Sequence, residues 1–271
     1  MMGKVFVNVE DIQGQDLRFV DVRFNLQDGA WGASAYAQGH VKQAVYMHLE
    51  DDLSDMASGE GRHPMPKKEQ LQELFERSAL SYDDTIIVYD QGGAPFAPRA
   101  WWMLKYAGFP NVHVLNGGFL ALEAAGYEIT AEIPKFTPIS LSLNWNESIF
   151  ASREDVKAIT EGKRKATLLD ARAAARYRGE EEAIDPVAGH IPTAKNFDWE
   201  QVKEGTRLAP TDALLKKVSK QEEVVVYCGS GVTASPLYAV LADAEYENIR
   251  LYVGSFSDWI TAYEIETGEN N

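Results

Sequence analysis

A chain of 271 residues, 45% hydrophobic and 25% charged, has a globular composition and the length of two ordinary domains. Its 41 acidic against 26 basic residues give a formal net charge of −15, which repels nucleic-acid phosphates and anionic lipid, so neither is an expected partner. A single cysteine excludes an internal disulfide, and the five histidines show no metal-ligand spacing, so neither an oxidising compartment nor a metal is expected.

The opening Met1-Met2-Gly3-Lys4-Val5-Phe6-Val7 is too short an apolar run for a secretory signal, and no later stretch reaches a membrane span. A cytoplasmic protein is expected. Phe19-Val20-Asp21-Val22-Arg23 follows, then Gly39-His40-Val41-Lys42-Gln43-Ala44. Thr85 to Tyr89 reads as a strand, Ala97 to Tyr106 as a helix and Val112 to Leu115 as a strand. From Glu128 to Ser148, Pro134 and Pro138 sit in a stretch without helical periodicity, which reads as a linker. Ser152-Arg153-Glu154-Asp155 has the form of a capping box that starts a new helix. Leu168-Leu169-Asp170-Ala171-Arg172 and Gly189-His190-Ile191-Pro192-Thr193-Ala194 come next. A strand from Glu223 to Tyr227, a helix from Thr233 to Ala242 and a strand from Ile249 to Val253 close the series.

The second half repeats the first. The Asp-x-Arg and Gly-His segments recur at offsets of 149 and 150 residues. Ile86-Ile87-Val88-Tyr89-Asp90 matches Val224-Val225-Val226-Tyr227-Cys228 at an offset of 138, and Val114-Leu115-Asn116-Gly117-Gly118-Phe119 matches Leu251-Tyr252-Val253-Gly254-Ser255-Phe256 at 137. The collinear order implies a duplication, and the period is too long for a solenoid. The expectation is an α/β protein of two domains, residues 1–127 and 151–271, joined by a linker at 128–150. Apolar strands alternating with helices imply in each a parallel sheet covered by helices, with ligands at the carboxyl ends of the strands.

In the second half that end carries Cys228-Gly229-Ser230-Gly231-Val232-Thr233-Ala234. Gly229 and Gly231 permit a tight loop whose N–H groups point inward, and the following helix adds the positive end of its dipole. Both favour thiolate over thiol, and the thiolate is the nucleophile. A lone cysteine after three valines also reads as a small core residue, although a Gly-Ser-Gly loop is poor core packing. A phosphatase loop needs an arginine six residues after its cysteine; that position is Ala234, and no arginine occurs from Cys228 to Tyr246. His40 and His190 occupy equivalent places in the two halves, so a role in the fold is expected for His190 rather than a Cys–His pair.

Together Asp170-Ala171-Arg172, Gly189-His190-Ile191-Pro192, the Cys228 loop and Gly254-Ser255-Phe256-Ser257-Asp258-Trp259 resemble the tandem rhodanese family over nearly the whole chain. The resemblance implies two rhodanese-like domains, only the second catalytic, with Asp90 standing in the first where a nucleophile would be. It implies a sulfurtransferase that carries sulfane sulfur as a Cys228 persulfide, needs no cofactor, takes a small anionic donor and passes sulfur to a thiol such as thioredoxin, or to cyanide. Loops of the Cys-Gly-Ser-Gly-Val-Thr type resemble those of members using 3-mercaptopyruvate, whereas thiosulfate-using members carry basic residues after the cysteine. The alternatives are a thiosulfate sulfurtransferase and a persulfide relay serving a dedicated partner. By the same resemblance, the N–H groups of Gly229, Gly231, Val232 and their neighbours cradle the persulfide, Ser230 donates a proton to the leaving group, and Thr233 assists by hydrogen bonding. Arg176 is expected to grip the donor carboxylate. The second arginine common before Gly-His-Ile-Pro is absent from residues 180–185, and Arg178 is the nearby substitute. His40 is expected to join Ser230 in a proton relay. Arg99 is a first-domain candidate either for the site or for anchoring its helix.

Overall fold

The computed structural model describes residues 4–269, and the chain divides into two compact units. The first comprises the residues up to Asp55, Pro66–Asn146 and Glu204–Leu208; the second comprises Met56–Met65, Glu147–Lys203 and the residues from Ala209 onward. These limits differ from the expected ones. Residues 128–146 belong to the first unit, and residues 56–65, inside the first repeat, belong to the second. Met1–Gly3 and Asn270–Asn271, included in the expected domains, lie outside the described residues.

In the first unit a five-stranded parallel sheet runs in the order Phe6–Val7, Val112–Leu115, Ile86–Tyr89, Arg18–Asp21, Val45–Tyr46. Its central strand, Ile-Ile-Val-Tyr, is buried on both faces, which is why it reads as a continuous apolar run rather than an alternation. Ile87 and Tyr89 pack with Val9 and Ile12, Tyr36 and Leu122 from three helices on one face. Helix Phe96–Tyr106 packs on the same strand as well. His40–Val41 pairs antiparallel with Ile129–Thr130. The proline-bearing stretch after Thr130 has no regular structure but is tied down: Ile139 N–H donates to Glu76 O at 3.1 Å, and Asn146 N–H to Tyr106 O at 2.7 Å.

The second unit has a four-stranded parallel sheet in the order Ile249–Leu251, Val224–Tyr227, Thr167–Asp170, Lys195–Asn196. Val225 and Tyr227 pack with Val156 and Ile159, Tyr177, Phe256 and Trp259. Val224 and Val226, also fully buried, alternate to the opposite face, where helix Ala234–Asp243 packs on the strand. That helix is apolar nearly all round and correspondingly buried from Ala234 through Leu241. Helix Arg153–Thr160 starts as expected: Ser152 Oγ accepts from Asp155 N–H at 3.1 Å, and Ser152 N–H donates back to the Asp155 carboxylate at 3.0 Å.

The duplication extends to side-chain detail. Arg23 Nη2 donates to Asp21 at 2.7 Å and to Gly39 O at 2.7 Å; Arg172 Nη2 donates to Asp170 at 2.6 Å and to Gly189 O at 2.7 Å. The guanidiniums stack over Phe119 and Phe256, 4.0 and 3.9 Å from the ring centroids. Each Gly-His segment is held alike: His40 stacks on Tyr36 at 3.8 Å and His190 on Tyr177 at 3.9 Å, each with Nδ1 2.8 Å from that tyrosine's carbonyl oxygen. Both histidines are fully buried. The repeated sequence motif is thus one repeated device that fastens a loop to the sheet.

Candidate active site

The strand Val224–Tyr227 brings Cys228 to the carboxyl edge of the second sheet. Its backbone is fixed on both sides. Cys228 N–H donates to Ser255 Oγ at 3.0 Å, and its carbonyl accepts from Phe256 N–H at 2.9 Å. Ser255 holds a left-handed backbone, φ +57°, which for a residue other than glycine or asparagine is strained. The strain sets its hydroxyl between Tyr252 O at 2.9 Å and the Cys228 amide, 4.0 Å from the sulfur.

Beyond Cys228 the loop folds back over the sulfur, and Gly231 N–H donates to Cys228 Sγ at 3.1 Å. Only glycine fits there: φ is +75°, and a methyl group at Gly231 would stand 2.2 Å from Val253 O. Ser235 Oγ, donating to Gly231 O at 3.0 Å, locks the turn to the helix. No hydrogen bond to another described residue engages the amide N–H of Gly229, Ser230, Val232 or Thr233. These donors lie in the loop that follows the sulfur, and helix Ala234–Asp243 begins directly after it, so the loop offers unspent N–H groups and the positive end of a helix dipole.

Two guanidiniums stand over Gly229. A methyl group there would lie 2.2 Å from Arg62 Nη2 and 3.6 Å from Arg176 Nη2. Asp185 joins them: Arg62 Nε and Nη2 donate to its two oxygens at 3.0 and 3.2 Å, and Arg176 Nη2 donates to it at 2.9 Å. Glu182 takes the other edge of Arg176, at 3.0 Å from Nε and 2.8 Å from Nη2. The two carboxylates are buried, while the arginines keep a fifth to a third of their side-chain surface in solvent. Ser230 Oγ lies 2.9 Å from His63 Nδ1, and both side chains are buried.

Cys228, Gly229, Ser230, Gly231 and Arg176 are therefore brought together as expected. Val232 is buried in the loop, and Thr233 caps the helix with no side-chain bond to it. Two expectations are corrected. The histidine at Ser230 is His63; His40 is occupied in its own unit by Tyr36, because it belongs to the repeated fastening device. The second arginine at the loop is Arg62; Arg178, at the end of its short helix, is engaged instead by Glu180 at 2.7 Å and Glu269 at 3.3 Å. Arg99 takes the anchoring role, donating to Leu53 O at 2.8 Å from a buried position. Sequence reading missed Arg62 and His63 because they lie in Gly61-Arg62-His63-Pro64, a segment without periodicity and far from Cys228 along the chain. One signal was available: His63 has no counterpart in the other half, so the duplicated framework does not account for it.

Residues 8–125 and 152–262 each match the rhodanese-like domain. The chain is 38% identical over 256 residues to a probable 3-mercaptopyruvate sulfurtransferase of Pseudomonas aeruginosa, covering 91% of this chain and 90% of that one. It is 37% identical over 276 residues to a putative thiosulfate sulfurtransferase, SseB, of Mycobacterium tuberculosis, covering 95% and 94%. Among solved structures, the 3-mercaptopyruvate sulfotransferase SseA of Escherichia coli matches with a TM-score of 0.78 at 29% identity, covering 94% of this chain and 99% of that one. The 3-mercaptopyruvate sulfurtransferase of Leishmania major gives 0.83 at 25% identity, covering 96% and 75%. With two matched domains spanning most of its length, the chain belongs to the rhodanese family.

Proposed function

We propose that this protein is a sulfurtransferase that moves sulfane sulfur from 3-mercaptopyruvate, through a Cys228 persulfide, to a thiol. The observation that carries the reading is the seat of Cys228 Sγ: a backbone N–H at 3.1 Å, further undonated amides in the same loop, and two guanidiniums over the adjacent Gly229. The named relatives among 3-mercaptopyruvate sulfurtransferases support it. The loop itself carries no lysine or arginine, which suits a donor with one carboxylate better than a dianion.

In this reading the Cys228 thiolate attacks the donor sulfur. The S–S bond forms, the carbon–sulfur bond breaks, and its electron pair leaves on carbon as the enolate of pyruvate. The loop amides stabilise the charge on the new persulfide. Arg176 and Arg62 hold the donor carboxylate. Ser230 delivers a proton to the enolate, and His63 exchanges it with solvent. An acceptor thiolate, such as that of a thioredoxin-type protein, then takes the outer sulfur and restores the Cys228 thiolate. Every redox equivalent is accounted for by donor and acceptor, so the cycle needs no cofactor. A cycle that ends on a reduced acceptor thiol suits the cytoplasm. No helix among the described residues is long and apolar enough to cross a membrane.

Thiosulfate is the second reading, favoured by the paired guanidiniums and by the M. tuberculosis relative's name. The test is kcat/KM for the two donors side by side, with Cys228→Ser as control and the mass of the donor-treated protein as a second readout. Mercaptopyruvate is expected to lead by at least about tenfold, near 1.4 kcal/mol of transition-state preference. Cys228 is expected to gain the mass of one sulfur atom. A lead for thiosulfate overturns the donor assignment, and a mass gain that survives Cys228→Ser overturns the nucleophile.

A further inference from the structure

The arginines over Gly229 do not act as bare positive charges. Arg62 pairs with Asp185, Arg176 with Asp185 and Glu182, and the neighbouring Arg172 with Asp170 and, at 3.7 Å, with Glu182. Three guanidiniums thus face three carboxylates, and the cluster is neutral. The carboxylates are the buried members, with side-chain exposures of 0% for Asp170, 4% for Glu182 and 1% for Asp185. The pairing also leaves a particular edge free. Arg62 spends Nε and Nη2 on Asp185, and Arg176 spends Nε and Nη2 on the two acids. Nη1 of each engages no acceptor among the described residues.

We infer that Asp185 sets the charge preference for the sulfur donor: by neutralising Arg62 while fixing both guanidiniums over Gly229, it makes a clamp that offers directed N–H donors without net positive charge. This rests on the sulfurtransferase reading above and goes beyond it, because it names the residue that decides between donor classes. Directed donors recognise one planar carboxylate through the free Nη1 edges. A dianion such as thiosulfate gains more from net charge than from direction, and the acids withhold that charge. The segment bearing Arg62 and the loop bearing Asp185 therefore discriminate by charge number, with Asp185 acting through the arginines rather than on the donor.

The test is Asp185→Asn, which keeps shape and one acceptor oxygen and removes one negative charge. The measured quantity is the ratio of kcat/KM for 3-mercaptopyruvate to that for thiosulfate, at low and at near-physiological salt. The ratio is expected to move toward thiosulfate by about tenfold at low salt, mainly through the KM of thiosulfate, and by less at high salt. Asp185→Glu, which restores the charge, is expected to return the ratio toward that of the wild type whatever its absolute rate. Glu182→Gln supplies the same charge change from the other side should Asp185→Asn fold poorly. Equal loss for both donors, or a shift toward mercaptopyruvate, overturns the inference. Wild-type protein that uses neither donor would instead defeat the sulfurtransferase reading. The charge argument is then decided by binding: Asp185→Asn is expected to gain affinity for sulfate and not for pyruvate, and no such gain overturns it.

Discussion

Ser230 and His63 form a hydrogen-bonded pair at 2.9 Å within a buried part of the second unit, in the loop of Cys228, whose sulfur accepts the Gly231 N–H. In the proposed mechanism the pair serves the leaving group. The two candidate donors differ in what their leaving group needs. The enolate of pyruvate must take a proton on carbon, whereas sulfite departs from thiosulfate as a stable anion. His63→Ala is expected to lower kcat for 3-mercaptopyruvate by about 100-fold, in the range of general acid–base catalysis, and to leave kcat for thiosulfate within a few-fold. Parallel loss with both donors would mean that His63 only props the loop. Ser230→Ala is expected to follow the same pattern, since the proposed proton path runs through its hydroxyl.

Among the elements, the strand–loop–helix at Cys228 was the most legible because everything that shapes it is contiguous. Three valines and a tyrosine give a strand buried on both faces, two glycines give the turn, and an apolar run gives the helix. Element ends shifted by one or two residues; the last strand, for instance, closes at Leu251 instead of Val253. Residues 56–65 were not legible as part of the site, because no local pattern says which unit an irregular segment joins. The turn itself yields a prediction. Gly231→Ala combines a left-handed φ with a methyl group 2.2 Å from Val253 O, whereas Gly162→Ala has a similar φ of +69° and nothing within 4 Å. Gly162→Ala is expected to cost about 1 kcal/mol, the conformational strain alone, and Gly231→Ala at least about 2 kcal/mol more because backbone must move. Urea midpoints of the two variants measure the difference. Equal midpoints would show that the loop relaxes freely and that Gly231 does not fix the sulfur seat.

For the whole molecule, duplication followed by divergence explains why the two units share their fastening device and differ at one strand end. Asp90 ends its central strand as Cys228 ends the other, and each carbonyl accepts from a phenylalanine N–H, Phe119 or Phe256, at 2.9 Å. The sequence offsets made this correspondence legible, but not its energetic consequence. The Asp90 carboxylate accepts from Gly92 N–H at 2.7 Å and Ala97 N–H at 3.0 Å, which favour its charged form. Burial outweighs them and pushes its pKa up from 3.8 to about 6. The folded protein therefore binds this proton more tightly than the unfolded chain does. Asp90 supports folding in full below pH 4, and that support is lost as pH rises through about 6. The loss is on the order of 3 kcal/mol as an upper figure, at 1.36 kcal/mol per unit of pKa. Asp90→Asn stays neutral throughout and keeps an acceptor for one of the two N–H groups. The stability of wild type minus that of Asp90→Asn is thus expected to be larger at pH 4.5 than at pH 7.5, read from denaturation midpoints at both values. Taking the difference cancels the many other carboxylates of this acidic chain that titrate over the same range. A difference that stays constant with pH, or rises, would mean that the backbone donors prevail and Asp90 is ionised throughout; the first unit would then hold a fixed negative charge at its strand end.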